Sequence, residues 1–163
     1  SSGTMDKKQL SEADIRTKFI TRALVGDNGE KWNLMTQIRE EAYFTKGRVI
    51  VRGKTVQRGE AKKADYLLFY KPNLPLAVVE AKDNTHSVGA GMQQALEYAE
   101  ILDVPFAYSS NGDAFLEHDR TATGGHVAQV SYPPGSFLLV APFQALGLHH
   151  VHMHAAGGER HRE

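Results

Sequence analysis

The stretch ADYLLFYKPNLPLAVVEAKDN, residues 64–84, constrains the fold more than any other part of the chain. Two apolar runs, 66–70 and 76–82, flank Lys71-Pro72-Asn73-Leu74-Pro75, a strong turn signal. Runs of that kind, with β-branched Val78 and Val79, read as strands buried on both faces. Strand geometry places Glu80 and Lys82 on one face, with Ala81 looking away. If the two runs pair around Asn73, Asp65 lies across from Ala81 to within a residue or two, beside Glu80 and Lys82.

Two carboxylates and one ammonium therefore gather at one end of a buried strand pair. Buried carboxylates are costly unless paired or bound to a cation, and adjacent ones repel. One reading is an ion pair of Glu80 and Lys82 with Asp65 at a strand end. The other is a hard divalent cation. Mg²⁺ takes carboxylate oxygens, keeps waters and accepts phosphate oxygens, and a nearby lysine then holds a water or stabilises charge on a phosphoryl group.

The rest of the chain frames that hairpin. Ser11 is a helix cap with Asp14 three residues on, and Ile15, Phe19, Ala23 and Leu24 recur at helical spacing until Gly26, Asn28 and Gly29. A new segment opens over 32–38, and 49–51 reads as a short strand closed by Gly53. Met92, Ala95, Leu96, Ala99 and Leu102 form one stripe of a helix over 88–102. A strand over 105–109, the hairpin signal Asn111-Gly112 and a strand over 114–116 follow. Strands on both sides of a helix predict an α/β fold, a mixed central sheet flanked by helices.

Asp65 followed by Glu80-Ala81-Lys82 resembles the PD-(D/E)xK nuclease core, here with Ala64 where the superfamily's name has proline. Gln94 and Tyr98, on one helix face, resemble the Gln-x-x-x-Tyr element of a subset of that superfamily. SEADIRTKFITRAL, residues 11–24, resembles the opening of the restriction (R) subunit of type I restriction–modification systems, with Glu12 at the position of that family's first-helix glutamate. The resemblance covers about residues 10–120. It implies a restriction-endonuclease-like core and Mg²⁺-dependent hydrolysis of DNA, with Mn²⁺ able to substitute. Asp65, Glu80 and the Ala81 carbonyl would hold the metal. Lys82 would activate water, Gln94 would steady the nucleophile end or touch the backbone, Tyr98 would brace that helix or touch a phosphate, and Glu12 would be a metal or outer carboxylate. Without it, Glu12 is a solvated first-turn acid and Tyr98 is core packing. The resemblance also implies partners: double-stranded DNA, a translocase region of the same full-length subunit, and modification and specificity subunits. ATP enters only through that motor, for which this chain has no room. A catalytically silent DNA-binding or docking module is the alternative.

With 19 basic and 19 acidic residues, any basic surface has to be local. It falls at Lys46, Arg48, Arg52, Lys54, Arg58, Lys62 and Lys63, seven cations against Glu60 alone. That is the footprint of a phosphate backbone, or a solvated charged hairpin. Gly53-Lys54-Thr55 is not a P-loop, because Arg48 stands where the first glycine belongs. With no cysteine there is no disulfide, Cys-based zinc site or thiol nucleophile. No apolar run reaches the roughly 18 residues of a membrane helix, and no signal peptide opens the chain, so a cytoplasmic location is expected. Residues 1–5 read as an expression scar and 6–135 as the domain. The tail 136–163, with His149, His150, His152, His154 and His161, is of uncertain origin and is better read as an adventitious metal binder than as a site.

Overall fold

The structure is a computed structural model that describes residues 6–46, 48, 49, 61–121 and 126–131. Ser11 Oγ accepts the Asp14 amide at 3.1 Å and starts helix α1, which runs over 12–25. This helix is α-helical over Glu12–Ile15, widens to a π turn over Arg16–Ile20, and is α-helical again over Thr21–Val25. It stops at Gly26, whose φ of +88° suits glycine alone. The π turn alters the buried face. Regular spacing puts Phe19 beneath Ile15, but the wider turn inserts a residue. Ile20 therefore joins Ile15 and Leu24 in the core, and Phe19 is only half-buried.

The strands are β1 Ile38–Thr45, β2 Arg48–Val49, β3 Lys62–Lys71, β4 Leu74–Ala81, β5 Phe106–Ser110, β6 Ala114–Asp119 and β7 His126–Ser131, with helix α2 Met92–Leu102 between β4 and β5. They form one sheet in the order β2-β1-β3-β4-β5-β6-β7. β4 and β5 are parallel, joined through α2, and every other pair is antiparallel. This is the mixed α/β sheet expected. β1 and β7 were not expected, and α2 starts later than its periodicity suggested. The turn between β5 and β6 carries Gly112 at φ +89°, where the Asn-Gly signal placed a hairpin. The remainder of the strand expected over 49–51, residues 1–5 and the tail 136–163 lie outside the described residues.

Two cores flank the sheet. α1 packs Ile15, Ile20 and Leu24 on Tyr66, Leu68, Val79 and Tyr108. On the other face α2 packs Met92, Ala95, Ala99 and Leu102 on Leu67, Val78 and Ala107. Ala64 and Tyr66, two residues apart in β3, belong to opposite cores. In β1, Ile38 joins the α1 layer while Ala42 and Phe44 join the α2 layer. Alternation therefore reverses near Asp65 and near its neighbour Glu41, which has φ +49°. The paired β1–β3 register passes over these two residues. No helix among the described residues is long and apolar enough to cross a membrane.

Candidate active site

The β3–β4 ladder pairs Tyr66 with Val79 and stops short of Asp65. Extending that register sets Asp65 opposite Glu80, one residue from the expected Ala81. Side chains take over from the ladder there. The Asp65 amide donates to Glu80 Oε2 at 2.8 Å, and the Ala81 amide donates to Asp65 Oδ2 at 2.8 Å. Each carboxylate thus gives one oxygen to the opposite strand and keeps a second.

Glu80 is 3% exposed. Burial pushes its carboxyl up to about 8, and the charges of Asp65 and Glu12 add to the shift against the Asp65 amide and Lys82. Half-buried Lys82 follows β4, its amide bonded to the Ser110 carbonyl at 2.9 Å. Glu12, the first residue of α1, is also raised, by burial and then by Asp65, while Lys82 and Arg16 pull it back. α1 therefore brings Glu12 within electrostatic reach of the strand-end pair. Among the described residues, no three Asp, Glu or His side chains form a closed metal cage. A hard cation here could take the remaining Asp65 and Glu80 oxygens, a backbone carbonyl and several waters, which is how Mg²⁺ is commonly held.

α2 starts directly against Glu80. A β-carbon on Gly91 would stand 3.2 Å from Glu80 Cβ and 3.1 Å from Ser109 Oγ. Buried Ser109, the register partner of Glu80, accepts the Gly91 amide at 2.9 Å and donates to the Val88 carbonyl at 2.7 Å. Along this helix exposed Gln94 donates to the Tyr98 hydroxyl at 2.7 Å. Tyr98 packs edge-on to Phe44, and its hydroxyl is raised by burial and then by Glu80. Tyr98 is thus both core packing and a neighbour of the carboxylates.

The loop after Lys82 is tied down by buried amides. Asn84 Nδ2 donates to the Asn111 carbonyl at 2.9 Å, and Asn111 Nδ2 donates to the His86 carbonyl at 2.7 Å. Asp83 accepts from Thr85 and is 3.1 Å from His86 Nδ1, and the Thr85 bonds hold it down to about 2.

Two cations of the basic segment are paired with acids among the described residues. Lys62 pairs with Glu97 at 3.7 Å and Lys63 with Glu41 at 3.2 Å. Lys46 is exposed, whereas Arg52, Lys54, Arg58 and the Arg48 side chain lie outside the described residues. Sequence reasoning missed Ser109, Gly91, Asn84, Asn111 and Arg16. Asn111 was read only as part of its turn, and Gly91 left a signal in the closely spaced glycines Gly89 and Gly91 before a helix.

Comparison with known proteins agrees with this fold. The family model of the type I restriction enzyme R protein N terminus matches residues 9–126. The endonuclease subunit of the type I restriction enzyme EcoAI from Escherichia coli is 48% identical over 121 residues, which are 74% of this chain and 15% of that subunit. A solved fragment assigned to an HsdR subunit of a type I restriction enzyme from Vibrio vulnificus YJ016 is 42% identical, with a TM-score of 0.63, over 84% of this chain and 25% of that one. The chain thus spans a small part of both relatives. It belongs to the family of type I restriction enzyme R protein N termini.

Proposed function

We propose that this domain is the Mg²⁺-dependent DNA-cleaving part of a type I restriction R subunit, with PD-(D/E)xK chemistry. The observation that carries the reading is the reciprocal bonding of Asp65 and Glu80, which uses one oxygen of each carboxylate, with Lys82 in electrostatic reach of Glu80. Asp65, Glu80 and the Ala81 carbonyl would hold the cation, and Mn²⁺ would substitute for it. A bound divalent ion supplies Lewis acidity and a more acidic water. Glu80, whose carboxyl is raised by burial, would release its proton to solvent in order to bind the ion. Lys82 orients the attacking water in line with the scissile phosphodiester and offsets charge on the phosphate. Gln94, held by Tyr98, faces the backbone or the nucleophile, and Glu12 acts from the outer shell. Lys46, Arg48, Arg52, Lys54, Arg58, Lys62 and Lys63 contact the phosphates of double-stranded DNA without reading sequence.

The partners that bring DNA to this site are the translocase region of the longer subunit, which uses ATP, and the modification and specificity subunits. The isolated fragment accordingly cuts poorly. The test is cleavage of supercoiled plasmid by the assembled full-length enzyme with Mg²⁺. Lys82→Ala should lower the rate by about 100-fold or more while DNA binding persists. Undiminished cutting by that variant rejects the reading and favours a silent docking module here.

A further inference from the structure

Two consecutive carbonyls at the end of β5 hold the chain where it leaves β4. The Ser110 carbonyl accepts the Lys82 amide at 2.9 Å, and the Asn111 carbonyl accepts Asn84 Nδ2 at 2.9 Å. Both asparagines are buried, Asn84 at 5% exposure and Asn111 at 4%. Asn111 reaches back across the same gap, its Nδ2 donating to the His86 carbonyl at 2.7 Å. The turn that supplies these acceptors is closed by its own side chains. Asn111 Oδ1 accepts the Asp113 amide at 3.0 Å, and Ser110 Oγ accepts the Gly112 amide at 3.1 Å and donates to the Ala114 carbonyl at 2.7 Å. Lys8 Nζ adds the N-terminal segment, donating to the Asn84 carbonyl at 3.3 Å.

β4 ends at Ala81, whose amide is taken by Asp65. Lys82 is the next residue. Among the described residues its ammonium has no hydrogen bond or ion pair. A lysine ammonium is a point charge on a flexible four-carbon stem. With no partner to hold that stem, its aim depends on where the backbone sets its Cα. Apolar side chains could fill the space of Asn84 and Asn111 without polar groups to satisfy. Buried amides that bond across two loops instead fix one path of the chain.

We infer that Asn84 and Asn111 are positioning residues for Lys82, a clasp that ties the loop after β4 to the end of β5 and so sets the direction in which Lys82 leaves the strand. The inference rests on the role in hydrolysis proposed above for Lys82. It separates from simple packing by its dependence on that lysine. A clasp that acts through Lys82 loses its effect on the rate once Lys82 is gone. A loss of packing slows cutting by the same factor whether Lys82 is present or not.

The test is a double-mutant cycle on the assembled full-length enzyme, reading the rate of supercoiled plasmid cleavage with Mg²⁺ for wild type, Asn84→Ala, Lys82→Ala and the double variant. Thermal unfolding of each variant subunit verifies folding. Asn84→Ala should cut about tenfold slower or more, with DNA binding retained. In the Lys82→Ala background it should change the rate by no more than about twofold. Should Asn84→Ala not fold, Asn111→Ala, which releases the His86 carbonyl and the Asp113 amide, carries the same prediction. An unchanged rate in the folded single variant, or an equal loss in both backgrounds, overturns the inference while Lys82 keeps its role. Undiminished cutting by Lys82→Ala overturns that role and the inference with it.

Discussion

Asp65 and Glu80 stand opposite each other where the β3–β4 ladder ends, and each carboxylate receives a backbone amide of the other's strand at 2.8 Å. The exchange satisfies two amides that a continued ladder would have paired. It also turns both carboxylates inward at a point where the α1 and α2 layers meet the strand end. The candidate site is thus a consequence of how the sheet stops.

Glu80 ties stability to pH. Its carboxyl rises from 4.5 to about 8 in the folded protein, so between those values the native state holds a proton that the unfolded chain has released. Stability of the metal-free protein is therefore fully present below about pH 4.5 and falls as pH rises toward 8, by on the order of 4 kcal/mol. Urea unfolding at pH 5 and pH 8.5 measures the fall, and Glu80→Gln should flatten it. An equally steep fall in that variant would assign the effect to another group.

The π turn of α1 predicts unequal costs at adjacent positions. Ile20 is fully buried, so Ile20→Ala should cost about 2–4 kcal/mol. Phe19 is half-buried, with the Lys7 ammonium 4.1 Å from its ring centroid. Phe19→Ala should cost less, roughly 1 kcal/mol, despite the larger side chain. Denaturant unfolding of the two variants decides the matter, and the reverse order would favour a regular helix.

That pair of residues also shows where the sequence is legible and where it is not. The β3–β4 hairpin, α2 and the Asn-Gly turn could be read because each follows one period or one turn rule. α1 could be placed by its Ser11 cap, but its buried face could not, because periodicity assumes regular turns. β1 was hidden because its alternation reverses near Glu41, so Ile38 and Phe44 face different layers despite their even spacing. Asp65, Glu80 and Lys82 were legible as a cluster since strand geometry gathers them. Arg16 and Ser109 were not, nor was Asn111 beyond its place in a turn. Their contacts bridge segments that no local spacing rule relates, and only the packed sheet brings them to the site.

Gly91 is the point where α2 meets Glu80. Its φ of −92° is ordinary, so Gly91→Ala tests crowding alone. The added methyl meets Glu80 Cβ at 3.2 Å and Ser109 Oγ at 3.1 Å, and both are buried. A cost of about 1–2 kcal/mol is expected, with weaker Mn²⁺ binding as Glu80 is displaced. Thermal unfolding and calorimetry on the same variant read the two effects. A variant as stable as wild type would show that the junction yields without strain.

Everything proposed for this domain depends on a divalent-cation site formed by Asp65 and Glu80. Its most direct test is Mn²⁺ calorimetry on the whole chain, wild type against Asp65→Asn, with folding of both verified by circular dichroism. A binding event is expected in wild type, and its loss in the variant, over any background from His149, His150, His152 and His154. Identical titrations of the two folded proteins would contradict it.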